Sequence, residues 1–379
     1  MKLSRFNLLI LSACLFAGTQ THAQSSSLPY FYADLGGDTA QSSSAFAINN
    51  LGQVAGGSYA DYSYNQHTSL WNGSRLTDLG DLSGPWSASS ASAINNRGQL
   101  AGTLAPYGDY YTSHATVWDG NHVTDLGTLG GSSSSASGIS NAGQVVGTSS
   151  ISGDTANHAT LWINGSATDL GTLGGTFSQA SAINNVGQIV GQSSTSTSRN
   201  THATIWNGTV AIDLGTLGGN GSWATAINDQ GHIAGVSTLA DNRTEHATYW
   251  HDGSMVDLGT LGGNSSMAWG INNSGQVVGT AALAGSNASH ATLWINGQAI
   301  DLNNFIDPAA ARQGWVLTTA YGINDQGWIV GEAYNPGWRA NHAFVLGLGV
   351  SPVPEPESWA LMLAGLGCLT MLARRRQRA

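Results

Sequence analysis

Seven histidines recur along the chain, at His67, His114, His158, His202, His246, His290 and His342. The first six are each followed eleven residues later by an aspartate: Asp78, Asp125, Asp169, Asp213, Asp257 and Asp301. Imidazole and carboxylate are the groups that ligate metals and exchange protons. A metal site would need several of the rings to converge, whereas a sevenfold repeat disperses them. The spacing favours a structural use. Eleven residues across a hairpin set the ring opposite the carboxylate or one diagonal step away, where a hydrogen bond fixes the strand register.

Catalytic groups in a repeat protein should break the repeat. Between residues 24 and 351 the only glutamates are Glu245 and Glu332, and the unrepeated aspartates include Asp61, Asp109, Asp154, Asp241 and Asp307. A glycosidase needs two carboxyls flanking one bond, and no motif ties any two of these together. Cys14 and Cys368 lie in the apolar ends, so the body has no thiolate nucleophile, disulfide framework or thiolate metal site. Gly-x-Ser-x-Gly and His-Glu-x-x-His are both absent, and the Gly-Gly runs do not lead from a strand into a helix as a phosphate loop does. The expectation is a noncatalytic body without cofactor or metal. The alternatives are a purely structural or adhesive surface protein and, after it, a hydrolase or lyase acting on extracellular polysaccharide.

The most irregular segments are the connections that precede each histidine. In the middle of the chain they are rich in Ser, Thr and Ala, but in the first, second and last units they are aromatic. They carry Tyr59, Tyr62 and Tyr64, then Tyr107, Tyr110 and Tyr111, then Tyr334 and Trp338. Aromatic faces offer rigid apolar area for stacking on sugar rings, and phenol hydroxyls add hydrogen bonds. Equivalent loops on neighbouring units would gather these residues into one sector, the expected ligand-binding site.

The elements that position these residues are legible from the period. A unit reads His158-Ala-Thr-Leu-Trp-Ile-Asn-Gly165, then Thr168-Asp-Leu-Gly-Thr-Leu-Gly-Gly175, then Ala182-Ile-Asn-Asn-Val-Gly-Gln-Ile-Val-Gly191, and central copies repeat every 44 residues. Asn-Gly or Asp-Gly between His-Ala-Thr-x-Trp and Asp-Leu marks one hairpin. Ile-Asn-x-x-Gly-Gln-x-Val-Gly marks a second, turning through a type I turn closed by glycine. The Gly-Thr-Leu-Gly-Gly run joins the two.

Four strands of ~6 residues and four connections of ~5 fill the period. Four strands per unit and seven units predict an all-β, seven-bladed β-propeller. The first unit, at Asp34, lacks its histidine strand, and the last, at His342, lacks its aspartate strand. The C-terminal strand is expected to complete the first blade and so close the ring without free edges. The last unit also carries an insertion, residues 303–319, with a short helix expected over 308–312.

These units resemble the HAF repeats, an extracellular family named for a His-Ala-Phe motif. His342-Ala343-Phe344 shows the motif itself, and the other copies read His-Ala-Thr or, at His67, His-Thr-Ser. The resemblance runs over residues 30–347. It implies export and no established catalytic activity.

The two ends read as addresses. Residues 1–23 hold Lys2 and Arg5, an apolar stretch and Thr21-His22-Ala23, which is the pattern of a secretory signal peptide cleaved after Ala23. The propeller is expected over 24–349 and a Pro-rich linker over 350–358. A short transmembrane helix with an Arg-rich end is expected over 359–379. Fifteen apolar residues span ~22 Å as helix, short for a ~30 Å hydrocarbon core. Val353-Pro354-Glu355-Pro356, the apolar span and Arg374-Arg375-Arg376 resemble the PEP-CTERM sorting signal of Gram-negative bacteria. That resemblance implies an exosortase-type enzyme as partner and a membrane anchor until processing. It also implies display on the cell surface or in a biofilm matrix, with exopolysaccharide as a candidate partner.

Charge agrees with an extracellular polymer-facing protein and excludes nucleic acid. Charged residues make up 9% of the chain, against a usual ~25%. Residues 24–351 hold six arginines against twenty Asp and Glu, a net of 6 − 20 = −14, whereas phosphate backbones require clustered Lys and Arg.

Overall fold

The computed structural model describes residues 30–36, 42–59, 66–80, 88–105, 112–196, 200–286 and 288–347. The expected signal peptide, linker and membrane segment lie outside the described residues. Among the described residues no helix is long and apolar enough to cross a membrane.

The described residues form seven antiparallel four-stranded sheets. Blades one to seven are numbered by their innermost strands, Ser43–Ile48, Ala88–Ile94, Gly130–Ile139, Gly174–Ile183, Gly218–Ile227, Gly262–Ile271 and Val316–Ile323. Neighbouring innermost strands touch around the full circle, the seventh against the first. The fold is therefore a closed seven-bladed β-propeller. Blade four shows the pattern, running outward through Gly174–Ile183, Ile189–Thr195, Thr201–Asn207 and Val210–Asp213.

The histidine strand is the third of each blade and the aspartate strand the outermost. The Gly-Thr-Leu-Gly-Gly run then crosses from the rim of one blade to the axis of the next. Its two final glycines open the innermost strand in blades three to six. A unit read from its histidine thus straddles two blades.

This phase decides how the ring closes. Phe31–Asp34 is the outermost strand of blade seven, paired with Ala340–Gly347, with Phe31 opposite Gly347 and Asp34 opposite Phe344. The terminal strands pair as the orphan half-units require. They complete the last blade rather than the first, because the blade boundary follows the aspartate strand.

Local chemistry explains the repeated residues. In all seven blades the innermost strand carries a one-residue bulge against the second strand, as between Ala180 and Ala182. The bulge pushes a carbonyl toward the facing residue. A Cβ on Gly191 would sit 2.0 Å from the Gln179 oxygen, so the position after Val or Ala in the second strand admits only glycine. The turn between these strands closes as read from the sequence, with Gly187 at φ 87° and its N–H donating to the Asn184 carbonyl.

Each core cluster is a wedge between blades. Trp162 is buried with Ile139 and Val145 of its own blade against Ala101 and Ala115 of the blade before. The alanine of His-Ala-Thr leaves room for the indole of the next blade, and Ala115, Ala159, Ala203, Ala247, Ala291 and Ala343 are each fully buried. A buried serine bolts the same interface. In blade four Ser178 Oγ accepts from Ala159 N at 2.9 Å and donates to Gly171 O at 2.7 Å.

The insertion of the last unit fills the interface between blades six and seven. It forms the 3-10 turn Leu302–Phe305 and the helix Pro308–Arg312, whose first turn is capped by Asp307. Leu302, Ile306, Trp315 and Leu317 pack with Phe344 and Leu346. Asn303 takes over the serine's role there, bonding Leu317 through both N–H and C=O at 2.9 Å.

Trp162→Ala should cost about 3–5 kcal/mol, the range for truncating a buried aromatic. Urea denaturation measures it, and a loss below about 1 kcal/mol would show that the wedges do not hold the blades together.

Candidate functional site

The histidines lie in seven separate pairs. His Nδ1 sits 2.7–2.9 Å from an aspartate oxygen in every blade, with His342 reaching Asp34 across the closure. Asp169 stands opposite Thr160, so His158 approaches it along the diagonal. The same carboxylates accept the backbone N–H two residues on, for example Gly171 N to Asp169 Oδ1 at 2.8 Å. One carboxylate thus fixes the third strand, the outermost strand and the start of the crossover. Among the described residues no group of three or more His, Cys, Asp or Glu is placed to hold a metal.

A second sevenfold network, unforeseen from sequence, rings the mouth of the central channel. The residue after each Ile-Asn or Ile-Ser donates its backbone N–H to the side chain of its counterpart one blade on. The bonds run from Asn50 to Asn96, Asn141, Asn185, Asp229, Asn273, Asp325 and back to Asn50, at 2.8–3.0 Å. Beneath it the preceding asparagine amides reach the next blade's carbonyl, as Asn184 Nδ2 does to Asn228 O at 2.9 Å. Ser140 lacks that amide, so blade three omits the bond. Asp229 and Asp325 also accept from flanking asparagine amides. Their oxygens are committed to closure.

Of the aromatic residues singled out above, Tyr62, Tyr64, Tyr107, Tyr110 and Tyr111 lie outside the described residues. Tyr59 and Tyr334 occupy the same position on neighbouring blades one and seven, three residues after Gly56 and Gly331. They are 38% and 39% exposed, whereas Ser150, Ser194, Thr238 and Ala282 at this position are 4–9% exposed. Trp338 is 44% exposed. It lies edge-on to buried Trp315 at 5.5 Å and 5.7 Å from His342. All three belong to the face where second strands lead into third strands.

The unrepeated carboxylates cap turns. Asp154 accepts from Ser132 N and Oγ. Asp241 accepts from Arg243 N, Thr244 N and Thr244 Oγ1, and these bonds, led by the Thr244 hydroxyl, pull its carboxyl down to about 2. Asp307 caps the inserted helix. Asp61 and Asp109 lie outside the described residues.

The channel wall is aromatic on one side. The bulged residue is Trp269, Tyr321 and Phe46 in blades six, seven and one, but Ser or Thr in the others. Tyr321 meets Phe46 at 5.4 Å and Trp269 at 6.1 Å. Burial, followed by the nearby Glu332 charge, pushes the Tyr321 phenol up to about 12.

Sequence reading by acid residues and loops passed over blade five. There His232, Tyr249 and His251 form one contact group on the opposite face, where innermost strands turn into second strands. Tyr249 Oη lies 2.8 Å from His232 Nδ1. The His251 ring centroid is 4.9 Å from Tyr249 and 6.0 Å from His232. They line a cleft of about 430 Å³ between blades five and six. His232 replaces the glutamine of five other blades, Tyr249 the aliphatic residue of all six, and His251 stands in a column that varies from blade to blade.

With the geometry in hand, the chain can be set beside known proteins. Residues 352–377 match the PEP-CTERM protein-sorting motif, a tail that marks an exported chain for recognition by an exosortase. Among curated proteins none matches in sequence. The similar solved structures include two at low identity. The β-propeller domain of the Trilobed protease from Pyrococcus furiosus is 13% identical, with 83% of this chain and 99% of that one covered and a TM-score of 0.49. TolB from Acinetobacter baumannii is 10% identical, with 78% of this chain and 79% of that one covered and a TM-score of 0.42.

Two outcomes follow from this chemistry. The His342 side chain is fully buried and that of Asp34 is 28% exposed, whereas those of His114 and Asp125 are 35% and 60% exposed. Asp34→Ala should cost about 1–3 kcal/mol and Asp125→Ala under about 1 kcal/mol. Equal losses in urea denaturation would show that burial of the imidazole does not set the strength of the pair.

Tyr321, with its folded pKa raised, keeps a proton between pH 10 and about 12 that the unfolded chain has lost. That contribution is complete below pH 10 and is lost as pH climbs toward 12. The only lysine is Lys2, so no lysine in the body titrates in this window. Tyr321→Phe should flatten the fall in urea midpoint over that range, and an unchanged slope would contradict it.

Proposed function

We propose that this is a noncatalytic surface or biofilm-matrix protein that binds extracellular polysaccharide through aromatics on one face of the propeller. The match of residues 352–377 to the sorting motif carries the location. The body it delivers has its repeated His, Asp, Asn and Ser engaged in holding the ring. Recognition therefore falls to residues that depart from the repeat and stay exposed.

Tyr59, Tyr334 and Trp338 meet that condition across blades seven and one. They offer the apolar faces on which sugar rings stack. With so few basic residues in the body, the partner is a neutral polymer rather than a strongly anionic one. The resemblance to HAF repeats, with their extracellular setting, supports the same reading.

The protein should co-sediment with exopolysaccharide from the cells that export it, and Tyr59→Ala/Tyr334→Ala/Trp338→Ala should abolish co-sedimentation without shifting the melting temperature. Binding unaffected by the three changes would remove the rim site. No binding by either protein would leave a purely structural or adhesive surface protein as the better account.

A further inference from the structure

Blade five has been altered at three contacting positions while its strands keep the common register. At the position of His232 the other blades carry Gln53, Gln99, Gln144, Gln188 and Gln276, or Trp328. Four of those glutamines accept the amide of the turn asparagine at 2.7–2.8 Å. His232 turns instead to Tyr249. At the position of Tyr249 the other blades carry only Leu, Ile or Val. The Leu, Ile or Val that the sister blades carry there would offer an imidazole no hydrogen bond. The two replacements make sense together. His251, where blades one and four have Asn72 and Asn207, adds a third ring against the same cleft.

The remaining lining sets the chemistry. Val256 and Trp294 supply apolar surface, and Asn273 and Asn296 come from two turns of blade six. Among the described residues no Lys, Arg, Asp or Glu lines the cleft. The carboxylate nearest to its rings is Asp252, 3.7 Å from His251 Nδ1. Its charge and the burial of the ring hold the Tyr249 phenol above its ordinary range, burial contributing more.

An anionic ligand would find no cation here and one neighbouring negative charge. A flat, neutral, polyhydroxylated ring finds aromatic faces for its C–H surface, with imidazole and amide groups for its hydroxyls. The cavity has the size of a small-molecule site.

We propose that the His232–Tyr249–His251 cleft binds one neutral pyranose unit of a glycan. The ligand class rests on the polysaccharide-binding reading above, but the site does not, since it lies on the opposite face from Tyr59, Tyr334 and Trp338.

The test uses the full exported chain and saturation-transfer NMR with neutral disaccharides built from glucose, galactose, mannose and N-acetylglucosamine. A uronic-acid disaccharide and Zn²⁺ serve as comparison probes. The variant His232→Gln/Tyr249→Leu/His251→Asn installs residues that sister blades already carry, so the fold has a precedent for each change. At least one neutral disaccharide should bind the wild type and bind the variant at least about tenfold more weakly, with the melting temperature unchanged. The Tyr59→Ala/Tyr334→Ala/Trp338→Ala protein should keep this binding, which separates failure of the rim from failure of the cleft. Absence of any neutral response at millimolar sugar, equal binding by the variant, or preference for the uronic acid would overturn the proposal. So would Zn²⁺ shifting the His232 and His251 resonances in a protein that ignores every sugar, an outcome that would assign the paired imidazoles to a metal.

Discussion

A ring of seven blades holds only if its last interface is as good as its first, and here the last is made between residues about three hundred positions apart. Asn324 bonds Asn49 and Asp325 bonds Asn50 across 275 residues, Ala343 bonds Ser43 across 300, and His342 bonds Asp34 across 308. Each has counterparts elsewhere in the ring, the first three between blades and the last within one. Closure thus needs no special device, only the repetition of one interface until it meets itself. The composition follows. An interface that must be dry, close and satisfied on both sides favours short neutral hydrogen-bonding side chains, because an unpaired charge there would be costly. Ser, Thr and Asn fill these places, and the carboxylates that remain are tied to imidazoles or backbone N–H groups.

Most of the architecture was legible because hairpin chemistry is local. The Asn-Gly turns, the eleven-residue His-to-Asp spacing and the 44-residue period are short-range signals, and they predicted four strands, seven blades and pairing of the terminal strands. The phase of the blades was not legible. Two hairpins joined by a glycine run look alike whether the run lies within a blade or between blades, and the pairing of second with third strands, Ile189–Thr195 with Thr201–Asn207 in blade four, decides it. The asparagine belt escaped for the same reason. Its bonds join equivalent residues a full period apart, so they leave no spacing signal beyond the repeat itself. The helix over 308–312 was readable from its composition, but its use as filler beside Trp315 and Phe344 was not.

The candidate site divides similarly. Tyr59, Tyr334 and Trp338 stood out because aromatics are rare in otherwise Ser- and Thr-rich connections. His232, Tyr249 and His251 are embedded in regular strands and turns, where a histidine for glutamine or a tyrosine for leucine looks like ordinary drift. What distinguishes them is contact. Three departures in one blade fall within a hydrogen bond or a ring contact of each other. In a repeat protein the sister blades act as internal controls, showing what each position does when it serves the fold alone.

The placement of the chain ends bears on how such a body would work once delivered. Gly347 ends the third strand of blade seven and stands opposite Phe31, so both ends of the described ring emerge on one face. Third strands end at the turns that lead to outermost strands, which puts this face on the side of the asparagine belt and the blade five cleft. Tyr59, Tyr334 and Trp338 lie at the other ends of their strands. On the reading proposed here, a propeller held by its C-terminal tail would turn its rim aromatics away from the point of attachment. A polymer approaching from outside would meet those rings first. The cleft, displaced from blade seven by the width of blade six, would face back toward the attachment point, which suits a single saccharide unit better than a long strand.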